Sequence, residues 1–185
     1  MPQFVVLLRG VNVGKGNRVP MATFRMLLEA QGFAEVRTLL NSGNAIFRST
    51  TRSAASHAEA IGAGLQESLG ASVLVVVKSS AEFLAVVAEN PFALPENDHS
   101  RFLVAFAQSK AATQTLSVLL PMLQPPERFY IGNHAAYLHC AGGMLESRAG
   151  SALLGKLGRK VTTRNWATVL KLKALLAGGV AGPSR

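Results

Sequence analysis

The run Phe4-Val-Val-Leu-Leu8 is apolar at every position. A strand covered on both faces accommodates such a run, so Gln3–Arg9 is read as a central, buried strand. The next segment is a glycine-rich strand-to-helix turn. Arg9-Gly-Val-Asn-Val-Gly-Lys-Gly-Asn-Arg-Val-Pro20 places three glycines, two asparagines and three cations ahead of a helical pattern. Pro20 suits the first helical position; Met21, Phe24, Leu27 and Leu28 share one face, and Gly32 stops the helix. Val36, Thr38 and Leu40 then mark a strand, Asn41-Ser-Gly-Asn44 a turn, and Ala45–Arg48 the returning strand. Ala54, Ala58, Ile61, Leu65 and Leu69 recur at helical spacing up to Gly70, and Ser72–Val77 is again continuously apolar. The order is β-α-β-β-α-β, a split βαβ pattern of ferredoxin-like type.

The remainder repeats that order less completely. A helix at Ala81–Glu89 meets the breaker Asn90-Pro91, and Pro91–Ser100 is read as a linker. Arg101–Ala107 is a strand, Lys110–Leu120 a helix closed by Pro121, and Glu127–Ile131 with Ala135–Cys140 a hairpin. Leu145–Leu157 is a small helix, and Thr162 or Thr163 caps a last one running to about Ala177. No closing strand is evident. Both hairpins turn on a Gly-Asn pair, Gly43-Asn44 and Gly132-Asn133. The expected fold is α+β, two tandem ferredoxin-like halves at 1–90 and 101–185 joined by 91–100, with a single α+β sheet as the alternative.

Composition matters here for where the charge lies. The net charge is +9 with a sequence pI near 10.5. Residues 1–52 carry +5, residues 53–144 carry −3, and residues 145–185 carry +7. If the fold brings the chain ends together they form one basic face, which attracts nucleotides, nucleic acid or acidic lipid; the plainer reading is solubility. One cysteine, Cys140, excludes an internal disulfide and fits a reducing compartment. No apolar run reaches the roughly 20 residues that span a bilayer, and no basic n-region precedes the first strand. A cytoplasmic protein with no membrane partner is expected.

Three clusters could carry chemistry. The glycine-rich turn is not a Walker A loop, since Lys15 stands where that motif needs glycine, and it is not G-x-G-x-x-G, since Val19 ends the spacing. It remains either a generic anion cradle, with N–H groups of Gly10 to Gly16 beside Arg9, Asn12, Gly14, Lys15, Asn17 and Arg18, or a tight connection that needs glycine. Thr163-Arg164-Asn165 opens the last helix and suits a phosphate or carboxylate, with Trp166 read as a core anchor. Ser42 and Asn44 of the first hairpin could orient a ligand or simply make a turn. We expect the three clusters to converge on one basic cleft.

Other chemistries are poorly supplied. Cys140 follows His139 in a strand, where neighbours point to opposite faces, so it is read as a small buried residue. The histidines show no metal-ligand spacing, and no metal or cofactor is expected. Asp98 is the only aspartate, and it lies in the linker. Stacking of RNA on a ferredoxin-like sheet needs aromatics on the middle strands, where only Phe4 and Phe47 are available.

Three blocks together carry a family resemblance: Leu8-Arg-Gly-Val-Asn-Val-Gly14 through Val19-Pro-Met21, Val36-Arg-Thr38 through Ser42-Gly-Asn44, and Thr162-Thr-Arg-Asn-Trp166 through Val169-Leu-Lys-Leu172. With Asn90-Pro-Phe92 and Tyr137-Leu-His139 as smaller matches, the chain resembles the bacterial domain-of-unknown-function family numbered sixteen-ninety-seven. The resemblance implies an α+β fold and no particular activity. The chain departs from the family pattern at Gly14–Arg18, where Gly-Gly and Asn-Lys are more usual. It departs again at Ser147-Arg148, where Gly-Arg-Ser-Lys is typical, and at Ala167, which replaces a frequent asparagine.

The functional expectation is a binding module for an anionic ligand, a nucleotide or nucleic acid. The alternatives are an enzyme acting on a phosphorylated or nucleotide-like substrate, and an assembly protein, with a homodimer possible. Whether the chain is an enzyme is left open.

Overall fold

A computed structural model of the chain describes residues 1–51 and 53–178. By its internal contacts the chain divides into two compact units, Met1–Phe83 with the stretch from Leu172, and Leu84–Lys171. The reach of the second half as far as Arg185 lies outside the described residues.

The first unit is built from β1 (Gln3–Leu8), α1 (Met21–Ala30), β2 (Ala34–Leu39), β3 (Asn44–Arg48), α2 (Ala54–Leu69) and β4 (Val75–Ser79). Its four strands lie in the order β2-β3-β1-β4, every pair antiparallel. β1 is interior: Val5 faces Ile46 on one side and Lys78 on the other. Because side chains alternate along a strand, Phe4, Val6 and Leu8 enter one core with Phe24 and Leu28 of α1 and Ile61 and Leu65 of α2. Each such side chain, fully buried, stabilises the fold by about 1.5–3 kcal/mol. Val5 and Leu7 on the opposite face are fully buried as well, which is why β1 is apolar at every position from Phe4 to Leu8.

The second unit holds β5 (Phe102–Phe106), α4 (Lys110–Gln114), β6 (Arg128–Ile131), β7 (Ala136–His139), α5 (Arg148–Leu154) and β8 (Thr162–Asn165). Its strand order, β6-β7-β5-β8, repeats that of the first unit, and every pair is antiparallel. Leu103, Ala105, Leu138, Leu116, Leu119 and Leu153 share its core. The division between units falls within α3 (Ser80–Glu89) and within α6 (Trp166–Leu176).

The structure corrects four local expectations. A closing strand is present in the second half: β8 pairs with β5 through Thr162↔Phe106 and Arg164↔Val104. Thr162-Thr-Arg-Asn165 conceals it, because threonine serves helix caps as well as strands and asparagine favours caps over strands. The true cap of α6 is Asn165, whose Oδ1 accepts from the Thr168 N–H at 2.9 Å, and not Thr162 or Thr163. The helix expected at Lys110–Leu120 is α4 followed by a 3-10 helix, Thr115–Met122, with Pro121 inside it. The helix expected at Leu145–Leu157 is shorter: Ser147 caps α5, and Gly155 ends it ahead of a 3-10 turn at Lys156–Gly158.

Candidate functional site

The glycine-rich stretch of the first unit is a loop pinned at both ends. Val11 and Val19 are buried in the core, and residues 13–18 between them are exposed. Asn12 closes the loop with its side chain. Its Oδ1 accepts from the Val19 N–H at 2.9 Å, and its Nδ2 donates to Val19 O and to Asn41 O, each at 2.8 Å. Asn12 adopts φ +58, the left-handed region that asparagine tolerates. Two backbone bonds tighten the loop, Asn12 N–H to Asn17 O at 2.8 Å and Gly16 N–H to Val13 O at 2.9 Å. A Cβ on Gly16 would lie 2.6 Å from Gly10 O, so only glycine fits where the chain folds back on itself.

These bonds decide what each residue offers. The side chain of Asn12 holds the loop, and that of Asn17 donates to Ser72 O at 3.2 Å. The amides of Asn12 and Gly16 are engaged inside the loop. Arg18 lies exposed with one guanidinium nitrogen on Gly14 O at 3.0 Å, and Lys15 is exposed at the tip. Arg9 is half-buried; its backbone N–H donates to Leu74 O, and burial lowers its pKa from the usual arginine value. The charge presented outward therefore comes from Lys15 and Arg18, on a backbone the loop itself holds in place.

The first hairpin meets this loop. Gly43 O accepts from the Leu8 N–H at 2.9 Å, and Asn41 O accepts from Asn12. Gly43 has φ +78, and a Cβ there would lie 2.6 Å from the Leu8 Cβ. Asn44, expected in the turn, is instead the first residue of β3 and fully buried. Its Nδ2 donates to Leu39 O and to Ser42 Oγ, each at 3.0 Å, which fixes the turn from within. The turn and the hairpin are thus brought together.

Thr163, Arg164 and Asn165 belong to the second unit. Arg164 is 7% exposed, and Thr162 Oγ1 and Thr163 O accept from its Nη1 at 2.9 and 2.7 Å. Burial pushes its pKa down to about 10, since a guanidinium removed from water loses its hydration. Trp166 packs its ring 5.4 Å from that of Phe102 and is 9% exposed, a core position.

Two carboxylates, Glu89, which the sequence reading passed over, and Asp98, which it left in the linker, also organise the second unit. Glu89 ends α3 and accepts from the Asn133 and His134 N–H groups and from the Tyr137 hydroxyl. Burial opposes its charge, but the two backbone donors and the tyrosine outweigh that and leave its pKa below the usual value. A signal was present: an acid at a helix C-terminus faces the negative end of the dipole and needs another reason to be there. Asp98 Oδ2 lies 3.5 Å from Nε2 of the buried His139, whose pKa is lowered by burial despite that neighbour. Cys140 is fully buried in the second core, and burial pushes its thiol pKa up. Phe4 and Phe47 stack in the first core around His57, so neither is displayed for a base. Among the described residues no group of three metal-ligating side chains occurs, and no helix is long and apolar enough to cross a membrane.

Fold and loop define a mixed α+β protein with two four-stranded antiparallel sheets and an elaborated strand-to-helix loop on the first. The chain belongs to the family described as Protein of unknown function (DUF1697), whose model matches residues 1–137 and so includes that loop and hairpin. Among solved structures it is similar to the conserved bacterial protein SP0830 from Streptococcus pneumoniae. The identity is 24% and the TM-score 0.75, over 95% of this chain and 98% of that one, a likeness that shows the fold alone. No curated protein matches the sequence.

Proposed function

We propose that the protein binds an anionic ligand, a nucleotide or nucleic acid, through the loop at Arg9–Pro20. One observation carries this reading. The two units share a strand order, yet β1 and α1 are joined by twelve residues whereas β5 and α4 are joined by three. Connections of this kind usually take about 2–6 residues, so the fold itself does not require the longer one. Long, ordered loops on a rigid scaffold are where binding residues concentrate. This one holds Lys15 and Arg18 outward on a backbone fixed by Asn12, and Arg9 stands at its base. Ser42 and Asn44 support the loop from the hairpin.

The shared β-α-β-β-α-β order, with the first and third strands of each sheet interior, supports reading both units as ferredoxin-like. For Thr163, Arg164 and Asn165 a structural role is the better reading. The burial of Arg164, its bonds to Thr162 and Thr163, and the capping bond of Asn165 support it.

A thermal-shift screen against nucleotides, sugar phosphates and short RNA and DNA tests the proposal, because a ligand that binds only the folded chain raises its melting temperature. A shift lost in Lys15→Ala/Arg18→Ala is expected. No shift with any anion, or one that the double variant retains, would remove the loop as the site.

A further inference from the structure

A second basic surface lies in the second unit, and its chemistry differs from that of the loop. From Leu153 to Val161 the chain alternates between burial and exposure. Leu153, Gly158 and Val161 are buried, while residues 154–157 and 159–160 are exposed. Gly158 is the pivot: a Cβ there would lie 1.7 Å from Leu153 O, so the 3-10 turn folds tightly back on the end of α5. The outward set is therefore Leu154, Lys156, Leu157, Arg159 and Lys160, confined to seven consecutive residues. Arg148, also exposed, starts α5 about 10 Å away along its axis. Leu154 is 46% exposed and Leu157 37%. Leu145, just ahead of α5, is 95% exposed.

Among the described residues none of these four cations has an ion-pair partner. Between 141 and 165 the sequence has one acid, Glu146. Cations interleaved with exposed leucines are what an anionic bilayer recognises: the charges meet the headgroups and the apolar side chains enter the boundary below them. A phosphate backbone would use the cations and leave the leucines idle. We propose that this surface docks the protein on a bilayer containing anionic lipid. The expectation of no membrane partner rested on the lack of a spanning run, and docking at the interface needs none.

The test is co-sedimentation of the full chain with phosphatidylcholine vesicles and with phosphatidylcholine–phosphatidylglycerol vesicles, at low and at high salt. Binding to the mixed vesicles alone, weakening as salt rises, is expected. Lys156→Glu/Arg159→Glu is expected to weaken it at least about tenfold, since each cation near an anionic surface contributes measurably. Leu154→Ser/Leu157→Ser is expected to weaken it several-fold with the charge intact. Lys15→Ala/Arg18→Ala is expected to leave it unchanged, which separates this surface from the loop. Far-ultraviolet circular dichroism checks that each variant is folded. No binding to the mixed vesicles, or binding indifferent to the leucine pair, would overturn the proposal. So would binding lost only with Lys15 and Arg18. Duplex DNA held through Lys156 and Arg159, with no vesicle binding, would assign the surface to nucleic acid instead.

Discussion

The two strand-to-helix connections of this protein solve one problem in two ways. In the second unit, Ala107-Gln-Ser109 joins β5 to α4, and Ser109 caps the helix by accepting from the Ala112 N–H at 3.3 Å. In the first, twelve residues intervene, Pro20 stands at the N-cap of α1 and supplies no side-chain cap, and an internal asparagine replaces the cap as the organising group. The short connection spends its polar side chain on the helix. The long one spends Asn12 on itself and on the neighbouring hairpin, and leaves cations at the tip. The difference teaches that the sheet order constrains the ends of a connection and not its middle.

The largest expected effect is at the point where loop and hairpin touch. Gly43→Val forces a branched side chain against Leu8 and Val11 at a left-handed φ, and should cost about 3 kcal/mol in chemical denaturation. If it costs less than the cap variant below, the loop and hairpin are not one packed unit. Next is Asn12→Ala, which removes three side-chain hydrogen bonds to backbone groups and should cost about 2 kcal/mol. Ser109→Ala in the short connection should cost only about 1 kcal/mol, the usual value of a cap. An Asn12 variant no worse than the Ser109 variant would show that the loop is not held as described.

The smallest effect sets the two units against each other through their buried histidines. Burial lowers the pKa of His57, only partly offset by its bond to Thr51, and burial also lowers that of His139. A base whose folded pKa lies below its unfolded value of about 6.5 binds more protons when unfolded. Stability is therefore full above about pH 6.5 and falls as the pH drops through that value toward the folded pKa. His57→Phe should flatten part of the slope of melting temperature against pH, and His139→Phe another part. A slope unchanged in both variants would place the acid sensitivity elsewhere.

Much of this architecture could be read from the chain. The apolar run Phe4–Leu8 announced an interior strand, and the helical spacing of Phe24, Leu27 and Leu28 announced the face that α1 buries. β8 stayed hidden because Thr162-Thr-Arg-Asn165 has neither an apolar run nor an apolar alternation, and it is held by pairing with β5 across a long sequence separation. The loop was legible as a special stretch, but the division of labour within it was not. Nothing in the sequence says that Asn12 bonds to Val19 and Asn41 while Lys15 stays outside. That choice depends on the left-handed φ of Asn12 and on a hairpin about thirty residues away.

The most direct test of the central claim is a two-dimensional 1H–15N NMR titration of the full chain with pyrophosphate. The account predicts saturable shifts in the amides of Val13 to Arg18, absent in Lys15→Ala/Arg18→Ala, with the amides of Ser109 to Ala112 unmoved. Shifts at the start of α4 and none in the loop would contradict it, as would a loop that stays silent at every concentration.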